Sequence, residues 1–280
     1  MTGAIYISVD MEGVAGVSRL HNVVPGHRTY ARSQELMTAE ANAAVAGAFD
    51  AGATRVVVAD SHGPMDNIVP AQLDPRARLI NGSPRTCGMV HGLDGDFDAA
   101  LFIGYHAAAG ASGVLSHTFT GFWTELRLNG RAVSEADVNA LYAGRFGVPV
   151  KLITGDDRTC SAGIAGVEGV HRVEVKRHLS YTSAEALSPT TAGARIREGA
   201  ARAVADSSVR PAIVPPALEV EIDLKLSASA DLVAMVATAE RTSEYTVRIR
   251  CTDVEEIYAF IGVAGALAAH VVATQASAAP

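Results

Sequence analysis

Carboxylates and imidazoles collect where apolar runs stop. "ISVDMEG" ends on Asp10 and Glu12, "VVVADSHG" on Asp60 and His62, "LFIGYH" on His106, and "KLITGDD" on Asp156 and Asp157. His117 follows in "LSHTF", and Glu135 stands past a predicted turn. Mixed carboxylate and imidazole donors suit zinc or a similar divalent cation. Charge points the same way. Asp10 and Glu12 share a face if the strand persists through them, and two carboxylates in one site push one toward protonation. A divalent cation between them removes that conflict. Asp10, Glu12 and Glu135 supply three negative charges, and His62 and His106 supply neutral nitrogens. That set fits two cations ~3.5–4 Å apart, which together activate water and polarise a carbonyl.

Taken singly, each residue has a plainer use. Asp60 can close an Asx turn, His106 can be a satisfied core histidine, Glu135 suits the first turn of any helix, and Asp156 or Asp157 can cap the segment after the strand. Asp60 and Asp156 are also candidates to meet a substrate amine, Asp60 otherwise orienting a histidine. The joint pattern carries the reading. Rival chemistries lack their signatures: there is no P-loop, no GxGxxG after a strand and no GxSxG elbow. Ser61 and Ser116 each precede a histidine, but adjacency in sequence does not make a triad.

These residues converge only if their strands lie side by side. "AIYISVD", "ATRVVVAD", "AALFIGYH" and "VPVKLITGDD" read as short buried strands, and "SQELMTAEANAAVAGAFDAG" and "EADVNALYAGRFG" as helices, Gly52 ending the first. "TELRLNGRAVS" reads as a hairpin turning at Asn129-Gly130. The alternation predicts an α/β fold: a mostly parallel, three-layer α/β/α sheet domain over residues 1–180. Parallel sheets take ligands beyond the carboxyl ends of their strands, which is where the polar residues fall. Gly13 is expected to turn the chain away from that rim. A smaller α+β domain is expected over 181–280, contributing to oligomerisation. It holds a helix capped by Ser188, two strands of period two ("LEVEIDLKL", "EYTVRIRCTD") with one wet face, a closing helix, and a frayed tail "TQASAAP". "HRVEVKRHLS" is a further strand just before the boundary.

Composition narrows the class. The 280 residues are 49% hydrophobic and 19% charged, which supports a large core and excludes global disorder. A net charge of -7, with no basic run, argues against nucleic acid. Three cysteines without a CxxC pair fit a reducing compartment. The late apolar stretch "IGVAGALAAHVVA" is shorter than a bilayer span, and no leader precedes "AIYISVD", so a cytoplasmic protein with no membrane partner is expected.

Five blocks, "SVDMEGVAG", "VVVADSHGPMDN", "LFIGYHAAAG", "GVLSHTF" and "PVKLITGDD", run in order between residues 6 and 158 and together resemble the bacterial zinc-dependent D-aminopeptidases of the dipeptide-transport operon type. "LSPTTAG" is a fainter echo. The resemblance implies a two-zinc peptidase whose ligands fall on Asp10, Glu12, His62, His106 and Glu135, with Asp10 shared between the ions. It implies His117 as the catalytic residue, short peptides as substrates, and a homo-oligomer, a ring-like decamer with sites facing an internal chamber. A carboxylate-rich site also accepts manganese or cobalt. Two departures stand out: Ser134 where the family tends to have glycine, and a divergent "TGFWTELRLNG" that holds Trp123 and is expected near the pocket. The competing readings are another two-metal amidase or phosphodiesterase, with Arg19, Arg28 and Arg32 as its phosphate clamp, and an inactive metal-binding ring protein.

Overall fold

A computed structural model describes residues 3–278. In chain order its elements are β1 (Ala4–Val9), α1 (Leu20–Val23), α2 (Tyr30–Asp50), β2 (Arg55–Asp60), β3 (Ala77–Ile80), β4 (Ala99–Ile103), β5 (Trp123–Leu128), β6 (Arg131–Ala132), α3 (Glu135–Arg145) and β7 (Val150–Asp156). They continue with α4 (Asp157–Ala162), β8 (His171–Ser180), β9 (Ser183–Ala186), α5 (Pro189–Ala205), β10 (Leu218–Leu224), α6 (Ser227–Val233), β11 (Glu240–Arg241), β12 (Thr246–Cys251) and α7 (Val254–Ala278).

A seven-stranded sheet in the order β3-β2-β1-β4-β7-β8-β9 forms the centre, parallel except for the β8–β9 hairpin. The fold is α/β with a mostly parallel sheet, as the alternation predicts. Strands laid down after β1 grow to one side of it, and β4 then starts the other side. The gap between the ends of β1 and β4 is therefore a topological switch point, where open α/β sheets form ligand crevices. β1 is buried along its whole length, as a central strand covered on both faces must be.

One face of the sheet is covered by α2 and α5, whose alanine-rich faces meet Ile5, Ile7, Val56, Val58 and Leu101. The other face is covered by α3, α7 and a second sheet, β11-β12-β10-β5-β6, through Tyr6, Phe102, Trp123, Leu126 and Ile222. That second sheet is antiparallel and alternates: Leu218, Val220, Ile222 and Leu224 are buried, while Glu219, Glu221 and Asp223 are half-buried beside Arg127 and Arg248. The wet face follows from period two. The two sheets do not divide at residue 180. β5 and β6 join the second sheet from before that point, and β9 and α5 join the first from after it. Hairpins and helices dock where their apolar faces find cover, whatever their order in the chain.

Several local readings hold. Asn129 and Gly130 both have positive φ, as a type I′ hairpin turn requires. Gly52 has φ +89° just past α2. Ser188 caps α5 by accepting the Thr191 N–H. Other readings change. Trp123 is wholly buried and packs near Gly265 of α7, so it is a core residue, while Glu125 of the same stretch lines a cavity with His106 as expected. The apolar stretch in α7 belongs to a helix of 25 residues that continues through most of the tail expected to fray, residues 279 and 280 lying outside the described ones. By length and composition this helix could cross a bilayer. Its Ile257, Tyr258, Ile261, Ala264 and Ala268 are instead packed into the protein.

Candidate metal centre

β1 stops at Val9, and the next residues build the switch-point rim. The Asp10 N–H donates to the Ile103 carbonyl at the end of β4, and the Gly13 N–H to that of Gly104. Gly13 lies in the expected turn, closed by the Val14 N–H on the Met11 carbonyl, and its missing side chain permits the approach: a Cβ there would lie 2.0 Å from the Tyr105 carbonyl oxygen. Gly104, with φ +70°, is matched to it, since its Cβ would lie 2.3 Å from the Asp10 oxygen. Two glycines thus press the β1 and β4 loops together and bring Asp10 beside His106.

Six side chains converge at this rim. His62 Nδ1 lies 2.9 Å from Glu12 Oε2 and 3.3 Å from Asp10 Oδ1. His106 Nε2 lies 3.4 Å from Asp10 Oδ2 and 3.3 Å from Glu135 Oε1. His117 Nε2 is 3.8 Å from the same Glu135 oxygen, and its ring stacks on that of His106 at 4.1 Å. Asp10, Glu12, His62, His106 and Glu135 are buried; the His117 side chain, 25% exposed, is the one that reaches outward. The predicted residues therefore share one site. Two overlapping groups, Asp10 with Glu12 and His106, and His106 with His117 and Glu135, have donor atoms close enough to hold a cation.

The imidazoles are aimed from behind. His62 Nε2 donates to the Val23 carbonyl at 2.8 Å, His106 Nδ1 to that of Ala107 at 3.0 Å, and His117 Nδ1 to that of Leu115 at 2.9 Å. A carbonyl only accepts, so those nitrogens carry the protons. Each remaining nitrogen faces the carboxylates, the arrangement by which outer hydrogen bonds fix metal-binding imidazoles. Leu115 and Phe119, on either side of His117, have left-handed backbones at φ +54° and +60°. Leu115 offers its carbonyl to His117 and its N–H to the Tyr181 carbonyl at the β8–β9 tip. Phe119 gives its N–H to Glu135. Such backbone strain is held where the surroundings over-determine it.

Three carboxylates in a buried site demand positive charge. Burial and the Glu12 carboxylate raise Asp10 to about 7. Burial also opposes ionisation of Glu12 and Glu135, yet His62 beside the first and His106 beside the second hold both below the ordinary range. Burial opposes charge on His62 and His106 too, but the carboxylates hold both up, His106 at about 10. His117 goes the other way, lowered by burial and by His106. Asp10 Oδ2 is wholly buried and takes no hydrogen bond among the described residues. A cation answers both the charge and the orphaned oxygen.

The other strand-end acids have structural work. Asp60 accepts from the N–H groups of His62, Asn67 and Ile68, closing the loop after β2. Asp156 caps α4 through the Thr159 N–H and also takes the Val114 N–H at 2.7 Å. Asp157 takes the His178 N–H. With its oxygens committed in this way, neither Asp60 nor Asp156 is poised for a substrate amine. Ser134 forms a capping box with Asp137 at the start of α3, which sets Glu135 at the first helical position.

Two buried charges escaped the sequence reading. Lys176 Nζ donates to the carbonyls of Glu12, Val14 and Val17, gripping the loop after β1. Glu40 of α2 takes the Ala15 N–H of the same loop at 2.8 Å. Strict alternation along β8 turns Lys176 outward. The register between β7 and β8 shifts after Gly155, placing Lys176 opposite Asp156 and burying both Val175 and Lys176. A β-bulge reverses the facing of the residues beyond it.

Residues 4–263 match peptidase family M55, described as D-aminopeptidase. The D-aminopeptidase of Bacillus subtilis (strain 168) is 36% identical over 256 residues, 91% of this chain and 93% of that protein. The chain belongs to the D-aminopeptidase family. The solved structure of the Zn-dependent D-aminopeptidase DppA from Bacillus subtilis, a self-compartmentalizing protease, superposes with a TM-score of 0.92 at 36% identity, covering 95% of this chain and 97% of that one. The six-residue rim lies within the matched span, so this D-aminopeptidase-family chain carries its cluster on the family fold.

Proposed function

We propose that this chain is a zinc aminopeptidase that releases the N-terminal residue of short peptides beginning with a D-amino acid. The observation that carries the reading is the rim itself: three carboxylates and three backbone-aimed imidazole nitrogens in one buried cluster, with an orphaned Asp10 oxygen among them. Asp10, Glu12, His62, His106 and Glu135 would hold two zinc ions, Asp10 shared between them, with manganese or cobalt as substitutes. Bound there, the metals supply a water nucleophile at neutral pH and polarise the scissile carbonyl.

The remaining work falls to the chain. His117 stands at the open side of the cluster, its Nδ1–H committed to Leu115 and its Nε2 lone pair free to face the substrate. Burial and His106 lower it from the ordinary imidazole value, and that Nε2 accepts a proton from the attacking water and returns it to the leaving amine. The Leu115 carbonyl fixes that tautomer throughout. The relative's described self-compartmentalization, together with the exposed apolar Ile213, Met235, Val263 and Val272, supports assembly into a homo-oligomeric ring, a decamer enclosing the sites. A chamber would limit substrates to short peptides. Three free cysteines fit a cytoplasmic setting.

A phosphodiesterase on the same metals needs a cationic clamp. Arg19 and Arg28 line a separate pocket with His21 and His27, which includes none of the six cluster residues. The peptidase reading is tested with zinc-reconstituted protein on matched D- and L-dipeptides and a phosphodiester. Turnover of dipeptides with a D N-terminal residue, and zinc content near zero in Glu12→Ala, are expected. Unchanged zinc in that variant, or hydrolysis of the phosphodiester alone, would overturn the proposal.

A further inference from the structure

Beneath the cluster runs a buried chain of hydroxyls and one amide. Tyr258 of α7 donates its hydroxyl proton to Asn139 Oδ1 at 2.6 Å. Asn139 Nδ2 donates to the Tyr105 hydroxyl at 3.0 Å. Tyr105 in turn lies 2.7 Å from Ser8 Oγ, which lies 2.7 Å from Ser61 Oγ. Both serines reach the Met89 carbonyl, at 3.1 and 2.9 Å, where the chain ends. Asn139 Nδ2 can only donate, so Tyr105 accepts there and keeps its own proton for Ser8. A donor order from α3 through Tyr105, Ser8 and Ser61 to Met89 satisfies every link.

The members are placed against the cluster with regularity. Ser8 lies two residues before Asp10, Ser61 one before His62, and Tyr105 one before His106. Asn139 lies four residues after Glu135, one turn along the same face of α3. Four of the chain elements that carry cluster residues are thus tied to one another one layer down. Tyr258 is the member with no cluster residue beside it in sequence. It closes the chain from α7, and its ring also meets Phe119 edge-on at 6.1 Å, the residue whose N–H holds Glu135. A core has no need of hydroxyls at these positions, since phenylalanine or alanine leaves nothing to satisfy. A fully satisfied polar chain instead fixes the elements it joins in one arrangement.

We propose that Tyr258, acting through Asn139 and Tyr105, is a positioning residue for the metal cluster: it fixes the spacing of Asp10, His106 and Glu135, so that the site holds its metal fully only with α7 docked. The inference rests on the two-metal reading above.

The test uses the full-length chain in Tyr258→Phe, Tyr105→Phe and a neighbouring control, Tyr142→Phe. Tyr142 packs against Tyr258 at 5.6 Å but is outside the hydrogen-bonded chain. Zinc affinity is measured by competition with a chromophoric chelator, melting on the metal-free protein, and kcat and KM on the loaded enzyme. Y258F and Y105F are expected to bind zinc roughly tenfold or more weakly, the loss typical of outer partners of a metal site. Their kcat falls with KM little changed, and Y142F binds zinc as the wild type does. Combining Y258F with Y105F adds little to either alone, because both break one chain. Wild-type zinc affinity and kcat in either variant would overturn the inference, whatever happens to melting. So would an equal loss of zinc affinity in Y142F, which would mark general core loosening. If one tyrosine variant does not fold, the other decides. A wild type that binds no more zinc than Glu12→Ala would instead overturn the metal reading itself.

Discussion

Replacing Lys176 with methionine removes the ammonium that gathers the Glu12, Val14 and Val17 carbonyls while keeping most of the side-chain volume. Hydrogen bonds to a charged donor contribute ~1.5–3 kcal/mol each. Three of them give a gross loss of about 5–9 kcal/mol. Against this stands the cost of burying the ammonium, several kcal/mol, which methionine does not incur. That burial brings Lys176 down to about 8, with Glu40 and Asp156 holding it up. The net expectation is a loss of ~3–5 kcal/mol, the usual effect of breaking a buried charge pair by removing one member. Glu40 has the opposing problem. Burial raises it to about 7, and its Oε2 takes no hydrogen bond among the described residues. Glu40→Gln keeps the acceptor for the Ala15 N–H and removes the charge. In the Lys176→Met background it should therefore recover part of the loss, whereas in the wild type it should destabilise by ~1–2 kcal/mol. Denaturant unfolding of the metal-free protein, followed by two probes, measures the wild type and all three variants. Zinc affinity of Lys176→Met should fall roughly tenfold as well, because the loop it grips carries Glu12. A loss below ~1 kcal/mol in Lys176→Met, or simple additivity with Glu40→Gln, would refute the clamp.

His117→Ala should lower kcat by about 10²–10⁴ with zinc content unchanged by elemental analysis; zinc falling to half would make His117 a ligand instead. Asp156→Asn should cost about 1 kcal/mol through its cap and leave KM for peptides near the wild-type value, and a large rise in KM would return Asp156 to the substrate amine. Calorimetry of the metal-free protein should show melting temperature falling from pH 6.5 to 8. His62 and His106 are raised by folding, so their stabilisation is complete below their unfolded value of ~6.5 and drains as pH rises toward the folded value, about 10 for His106. Lys176, lowered to about 8, begins to act in the opposite sense only above that value. Zinc-loaded protein should show a weaker decline, since the metal replaces those protons, and a flat or rising curve for the metal-free form would count against the charge account of the cluster.

The site was legible because its chemistry sits at strand ends. Asp10, His62 and His106 follow apolar runs directly, so a parallel sheet alone places them on one rim. Glu135 was legible from the helix it starts. The groups that support them were not. Lys176 is turned inward by a bulge that no alternation pattern records. Glu40 lies within an alanine-rich helix as an ordinary acid would, and only the approach of the loop after β1 gives it a partner. Strand β3 was missed because it is an edge strand of four residues, none of them buried and too few to show a period. The membership of the two sheets was not legible for a related reason: the hairpin β5–β6 joins the later sheet by pairing with β10, a long-range choice.

The Lys176 grip on Glu12 joins positions 164 apart in the chain, and the Tyr258–Asn139 bond joins positions 119 apart. During synthesis the six cluster residues therefore leave the ribosome well before the groups that set them. At ~5–20 residues per second, α7 follows Glu135 by on the order of ten seconds. Through that interval the growing chain holds the six cluster side chains without the contacts that set their spacing. On the metal reading proposed above, synthesis of α7 would be the event that completes the site, and a product stalled before it would lack the means to cut peptides around it.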